Sequence, residues 1–147
     1  MLKGIPACLT PELLCTLAEM GHGDTIVIGD ANFPAASIAA ANGHRCLRCD
    51  GHRGTEIMDA ILQLMPLDNF AAKPVTIMDK MEVDRDLACP VWDEFKDIVA
   101  AHDPRGAEAV GFLERFAFYE AAKKAYAVVS TGETAFYACV ILQKGCL

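Results

Sequence analysis

Residues 21–30 read GHGDTIVIGD, a polar segment followed by a short apolar run that ends in a carboxylate. Its first four residues predict a polar turn, and Thr25 to Ile28 predict a short buried strand. Asp30 follows the strand, at the end where open α/β sheets usually place ligand-binding groups. Upstream, Thr10 is a suitable N-cap for a helix that ends at Gly21. The segment is therefore predicted to lead from a helix through a turn into a buried strand.

The rest of the chain continues this alternation of helices and strands. Helices are predicted at 34–41, 55–65, 91–102 and 120–125, and strands at 45–49, 74–78, 126–130 and 135–142. The pattern predicts an α/β fold, a single domain over residues 1–147 with helices layered around a mixed, mainly parallel sheet. The connection between the last two strands is too short for a crossover, so they are predicted to be antiparallel neighbours.

The composition restricts the function classes. The chain has 13 Lys and Arg against 20 Asp and Glu, and its formal net charge of −7 argues against nucleic-acid binding. We find no polybasic membrane anchor, no apolar run near the roughly 20 residues of a membrane span, and no secretory signal. Seven scattered cysteines are typical of reduced thiols in a cytoplasmic protein. A hydrophobic content of 53% with 22% charged residues predicts a sheet covered on both faces, or burial against other subunits.

Two segments carry side chains suited to acid–base chemistry or to binding a polyhydroxylated ligand. His22 lies between two glycines, which leaves its ring accessible, and histidine is the most common general acid or base. The alternative is that this stretch is only a turn. Arg115 and Tyr119 are four residues apart, on one side of either a helix or a strand. The alternative for that pair is an ordinary subunit contact.

The last predicted strand and a cysteine pair complete the candidates. Period-two alternation places Tyr137 and Cys139 on one face of that strand, where a ligand could be the partner of the tyrosine hydroxyl. Cys46 and Cys49, flanked by two histidines, suggest zinc or a redox dithiol. We discount that interpretation, because the two cysteines would point to opposite faces of a strand and all four groups lie in one short segment. No nucleotide-binding motif is present.

Together these pieces resemble the fucose mutarotase and ribose pyranase family of sugar mutarotases, and the chain is more similar to the fucose mutarotase branch. The resemblance covers nearly the whole chain. It rests on LKGIP (2–6), TPELL (10–14), MGHGD (20–24), NFPA (32–35), DG (50–51), PLD (66–68), PVW (90–92), RFAFYE (115–120), TGE (131–133) and KG (144–145).

The resemblance implies a ribose-pyranase-like fold and an isomerase that interconverts the α and β anomers of a reducing monosaccharide. Fucose is the first expected substrate and ribose the second, with no cofactor and no metal. The family's functional positions fall on His22 and Tyr119 for proton transfer, and on Asp30, Met78, Arg115 and Tyr137 for sugar binding. Bacterial members form ring-shaped decamers, so a homo-oligomer is expected.

One position departs from the family pattern. Members carry Tyr-Gly-Asn or Tyr-Ala-Asn where this chain has Tyr137-Ala138-Cys139, so Cys139 replaces an asparagine expected to contact the sugar. The alternative function is a non-catalytic sugar-binding or transport accessory protein on the same scaffold, which would not need His22.

Overall fold

A computed structural model describes residues 2–147 of the chain. The strands are β1 (Thr25–Gly29), β2 (Arg45–Cys49), β3 (Val75–Met78), β4 (Val110–Leu113), β5 (Ala127–Thr131) and β6 (Val140–Gln143). The helices are α1 (Pro11–Glu19), α2 (Ala35–Ala40), α3 (Gly54–Leu62), α4 (Val91–His102) and α5 (Arg115–Lys123). Of the helices in residues 2–147, none has the length and apolar character needed to cross a bilayer.

The six strands form one sheet in the order β2-β5-β1-β6-β3-β4. Neighbours pair in parallel between β2 and β5, β5 and β1, and β3 and β4, whereas β6 is antiparallel to both β1 and β3. The predicted fold class, helices layered around a mixed and mainly parallel sheet, is therefore confirmed.

The predicted pairing of the last two strands is wrong. Both β5 and β6 pair with β1, which lies between them. The reason is that residues 135–139, predicted to be strand, form a turn, so that β6 begins only at Val140. The connection is therefore long enough to pass over one strand before the chain re-enters the sheet.

Two further elements differ from the sequence prediction. Helix α5 begins at Arg115, because the Glu114 carboxylate accepts hydrogen bonds from the backbone N–H groups of Phe116 and Ala117 and caps the helix. Strand β4 was not predicted. It is a short edge strand that contains Gly111 and the partly exposed Phe112, so it lacks the apolar pattern that identifies buried strands.

The core lies on both faces of the sheet. In β1, Ile26 and Ile28 belong to a cluster shared with α1, α3 and α4, whereas Val27 belongs to a second cluster shared with α2 and α5. The apolar side chains of the strands are thus buried on both sides. This arrangement accounts for part of the high hydrophobic content of the chain.

Candidate active site

A cavity of about 400 Å³ opens where β1 and β3 end and β6 begins. These termini share one edge, because β3 runs parallel to β1 and β6 runs opposite to both. The volume is in the range typical of small-molecule sites. The lining residues are Asp30, Asn32, Phe33, Met78, Asp84, Leu87, Arg115, Tyr119, Phe136, Tyr137 and Cys139. All the residues predicted to bind sugar are therefore at this cavity, together with Tyr119.

Asp30 is a buried carboxylate of the cavity, held by two hydrogen bonds. Its side chain is buried, and its Oδ1 accepts a hydrogen bond of 2.9 Å from the backbone N–H of Asn32. The Cys139 Sγ lies 3.3 Å from Asp30 Oδ2. Burial raises the pKa of the Cys139 thiol well above its ordinary value, so the thiol keeps its proton and donates to the carboxylate. Cys139 thus orients Asp30.

Arg115 and Tyr119 meet one turn apart on α5. The Arg115 Nε donates a hydrogen bond of 3.0 Å to the Tyr119 hydroxyl oxygen, and this bond raises the pKa of Arg115. Among residues 2–147, no acceptor takes the hydroxyl proton of Tyr119, which therefore remains available to a ligand. A guanidinium at this position also stabilises negative charge that develops on the tyrosine oxygen when it gives up the proton.

Tyr137 reaches the cavity from a turn and not from the strand that the sequence predicted. Its backbone has a φ of 56°, in the left-handed region that non-glycine residues rarely adopt. The Trp92 Nε1 donates a hydrogen bond of 3.0 Å to the Tyr137 carbonyl. The Tyr137 hydroxyl donates to Asp84 and accepts from the backbone N–H of Met81. Burial and the bond to Asp84 raise the pKa of Tyr137.

In a single chain, His22 lies far from this cavity and is not among its lining residues. It precedes β1 and Asp30 follows β1, so the two residues are separated by the length of the strand, about 15 Å. The His22 Nε2 instead lies 3.2 Å from Asp68 Oδ1. The His22 side chain is 47% exposed, and its ring lies 5.6 Å from the ring of Phe70. Asp30 therefore cannot orient the imidazole within one chain.

Asp68 is a functional candidate that sequence reasoning missed. Its carboxylate is buried and accepts hydrogen bonds from the Phe70 backbone N–H at 2.9 Å and from Gln143 Nε2 at 3.1 Å. The bond from Phe70 in particular lowers the pKa of Asp68, so a charged carboxylate faces the imidazole of His22. The motif at 66–68 contributed to the family resemblance, but the pairing with His22 joins residues far apart in sequence.

The cysteine pair at Cys46 and Cys49 does not form a compact site. Cys49 belongs to the core cluster on one face of the sheet, and Cys46 packs against the cluster on the other face, as alternation along the strand predicted. Burial raises the pKa of Cys49 to about 11. Across residues 2–147, no group of three or more His, Cys, Asp or Glu side chains is placed to hold a metal ion.

The fold and the cavity are those of an α/β protein with a concave pocket at the strand ends, lined by carboxylate, guanidinium and phenol side chains. The sequence profile of the RbsD / FucU transport protein family matches residues 3–147, and the chain belongs to that family. The family expected from the sequence motifs is therefore confirmed.

Individual relatives agree with this assignment. The human fucose mutarotase is 47% identical over 148 residues, which cover 99% of this chain and 94% of the relative. The crystal structure of FucU from Bifidobacterium longum is 53% identical, with a TM-score of 0.95 and 99% coverage of both chains. The fucose mutarotase from Streptococcus pneumoniae in complex with L-fucose is 42% identical, with a TM-score of 0.91 and 99% coverage of both chains.

Proposed function

We propose that this protein is a sugar mutarotase that interconverts the α and β anomers of L-fucose by general acid–base catalysis. The observation that carries the proposal is the Tyr119 hydroxyl, which lies in the cavity with Arg115 beside its oxygen and an unengaged proton. The human and streptococcal relatives named above as fucose mutarotases support the choice of sugar.

The reaction requires only proton transfers. The anomeric hydroxyl loses a proton while the ring oxygen gains one, the ring opens to the aldehyde, the carbonyl rotates, and the ring closes on its other face. Positioned acids and bases accelerate such steps by about 100- to 10,000-fold. Neither a metal nor a cofactor is needed to balance the reaction. Tyr119 is assigned as one proton-transfer group, with Arg115 stabilising its anionic form.

The remaining cavity residues bind the sugar. Asp30 accepts hydrogen bonds from sugar hydroxyls, and Arg115 donates to them. Met78 supplies an apolar contact for the sugar ring, and Tyr137 forms part of the wall. Cys139 acts through Asp30, whose Oδ2 it holds with its thiol. These groups fix the position of the anomeric carbon next to Tyr119.

His22 is assigned as the second proton-transfer group, acting in the cavity of a second copy. The reason is geometric, since His22 lies at the far end of β1 from the cavity of its own chain. Phe70, beside His22, is 83% exposed, and Phe136 at the cavity is 64% exposed. A head-to-tail contact would bury the surface around Phe70 of one copy against the surface around Phe136 of the next. Repeating such a contact gives a closed ring when the rotation between successive copies adds up to a full turn. We propose that the protein assembles in the cytoplasm as a homo-oligomer, specifically as the ring-shaped decamer that the family resemblance implies.

Saturation-transfer NMR tests the activity directly. Exchange between the α and β anomeric protons of L-fucose, D-ribose and D-galactose is measured with and without the protein. We expect accelerated exchange for L-fucose above all. Binding of L-fucose without accelerated exchange would overturn the proposal in favour of a sugar-binding or transport accessory protein. That second function is favoured by one observation, namely that the cavity of a single chain is lined by Asp30, Arg115 and tyrosine side chains suited to hydroxyl groups, and His22 is not among its lining residues.

Light scattering tests the assembly. We expect a multiple of the monomer mass at micromolar concentration, because large apolar side chains such as Phe70 and Phe136 are exposed on the single chain. Phe70→Ser is expected to shift the assembly toward smaller species. A monomer mass for the unmodified protein would contradict the shared site.

Cys139→Asn is expected to tighten the binding of L-fucose several-fold and to leave the maximal exchange rate less affected. An amide offers donors and an acceptor, whereas a thiol is a weak donor and a weak acceptor, and a neutral hydrogen bond contributes on the order of 1 kcal/mol. The measurement is anomer exchange against sugar concentration for L-fucose, D-ribose and D-galactose. The matched control is Cys89→Asn, a cysteine that does not line the cavity. Unchanged apparent affinities for all three sugars would remove Cys139 from the determinants of sugar preference.

A further inference from the structure

We infer that Asp84 is a further substrate-binding residue, whose Oδ1 accepts a hydrogen bond from one hydroxyl of the bound sugar. The inference rests on the proposed function, because it concerns the same cavity. It goes beyond that function by adding a carboxylate that no sequence pattern identified. It also assigns Tyr137 the task of orienting Asp84 instead of binding the sugar.

Asp84 lies in the segment that connects β3 to α4. It ends a short 3-10 helix, Glu82–Asp84, and its half-buried side chain lines the cavity. The Met81 Sδ in the same segment lies 3.1 Å from a terminal nitrogen of Arg115. The segment is thus attached to the cavity at two points, through Met81 and through Asp84.

The hydrogen bonds at Tyr137 show which oxygen is available. The Tyr137 hydroxyl donates its only proton to Asp84 Oδ2, and it accepts a hydrogen bond of 3.3 Å from the Met81 backbone N–H. Tyr137 therefore cannot donate to a sugar while it holds Asp84. No donor within residues 2–147 is bound to Asp84 Oδ1, which leaves this oxygen as an acceptor for a ligand.

The other acidic residues of the segment behave differently. Asp79 and Glu82 both accept hydrogen bonds from Arg85, so their charges are neutralised within the segment. Asp86 is exposed and does not line the cavity. Only the carboxylate of Asp84 is held by a cavity side chain, with one oxygen bound to Tyr137. Asp84 therefore combines the orientation and the free acceptor that recognition of a hydroxyl requires.

The inference is tested by combining substitutions in the protein with sugars that each lack one hydroxyl group. The exchange efficiency kcat/KM is measured for L-fucose and its 2-, 3- and 4-deoxy analogues, which retain the anomeric hydroxyl and the ring oxygen. The unmodified protein is compared with the isosteric Asp84→Asn, with Tyr137→Phe, and with Asp86→Asn as the matched control. Circular dichroism checks that each variant is folded.

We expect the unmodified protein to discriminate against one deoxy analogue by about 10- to 100-fold, the effect of a lost hydrogen bond to a charged group. Asp84→Asn should lower kcat/KM for L-fucose by a similar factor, leave kcat nearly unchanged, and abolish most of the discrimination against that analogue. Tyr137→Phe should reduce the same discrimination, because it frees the carboxylate that Tyr137 orients. Asp86→Asn should change neither quantity.

The measurements separate a failure of this inference from a failure of the proposed function. An equal loss for all four sugars in Asp84→Asn would show that Asp84 only anchors the segment, and the inference would be wrong while the proposed function stands. An unchanged kcat/KM for every sugar would overturn it in the same way. No exchange of L-fucose by the unmodified protein would overturn the proposed function, and the inference with it.

Discussion

We expect His22→Ala and Tyr119→Phe each to lower L-fucose anomer exchange by about 100- to 10,000-fold, and a mixture of the two inactive variants to regain activity. The individual losses follow from removing a proton-transfer group. The recovery follows from the geometry, because His22 lies at the opposite end of β1 from the cavity that contains Tyr119. In a mixed assembly, some cavities with an intact Tyr119 adjoin a second copy with an intact His22.

The experiment uses equal amounts of the two variants, unfolded together and refolded so that subunits mix. Roughly a quarter of the sites should be complete, because each site takes one residue from each of two neighbouring copies. Each variant refolded alone is the background. The control substitutions are Tyr126→Phe and His102→Ala, whose side chains bond to Glu19 and Asp59 away from the cavity. Both should retain the unmodified exchange rate.

Two results would contradict the shared site. If mixed assemblies form but exchange stays at background, His22 does not act in the cavity of a neighbouring copy. If His22→Ala alone exchanges at the unmodified rate, His22 has no proton-transfer role. The sugar-binding function would then become the leading interpretation for this residue set.

Asp68→Asn is expected to lower the exchange rate by about 10- to 100-fold, because a proton-transfer group that is displaced or rotated loses that much. The Asp68 carboxylate holds the His22 ring at 3.2 Å and is itself fixed by Phe70 and Gln143. An amide of the same size retains the packing but removes the negative charge beside the imidazole. The loss should appear in kcat more than in KM, since Asp68 acts through His22 and is not among the residues that line the cavity of its own chain.

The matched control is Asp59→Asn, which alters a second His–Asp pair, with His102 at 2.7 Å. It should leave the exchange rate unchanged. An Asp68→Asn protein that is folded and as active as the unmodified one would show that Asp68 supports only the local structure.

The lowered pKa of Asp68 also predicts the direction of one contribution to acid stability. A carboxylate whose pKa is lower in the folded than in the unfolded state stabilises the fold above its unfolded pKa of about 3.9. That stabilisation is lost as the pH falls through the lower, folded value. Urea unfolding between neutral pH and pH 3 should therefore show a smaller loss of stability for Asp68→Asn than for the unmodified protein.

Features that depend on near neighbours along the chain were predictable from the sequence. The Thr10 cap, the buried strand before Asp30 and the helix at 91–102 were predicted, because capping and apolar periodicity are local properties. Alternation along β2 correctly separated Cys46 from Cys49 for the same reason. The family motifs placed Asp30, Met78, Arg115, Tyr119, Tyr137 and Cys139 in one set, and the structure brings them to one cavity.

Contacts between groups far apart in the sequence became known from the three-dimensional structure. His22 and Asp68 are 46 positions apart, and Tyr137 and Asp84 are 53 apart, so no local pattern links either pair. The turn at 135–139 has a strand-like sequence because its residues are mostly apolar and run on into Val140, whereas contacts from Trp92 and Asp84 hold Tyr137 in a left-handed conformation. That turn brings Tyr137 to the end of β1 that carries Asp30, whereas His22 precedes β1 and therefore lies at the opposite end of the strand, away from the cavity of its own chain.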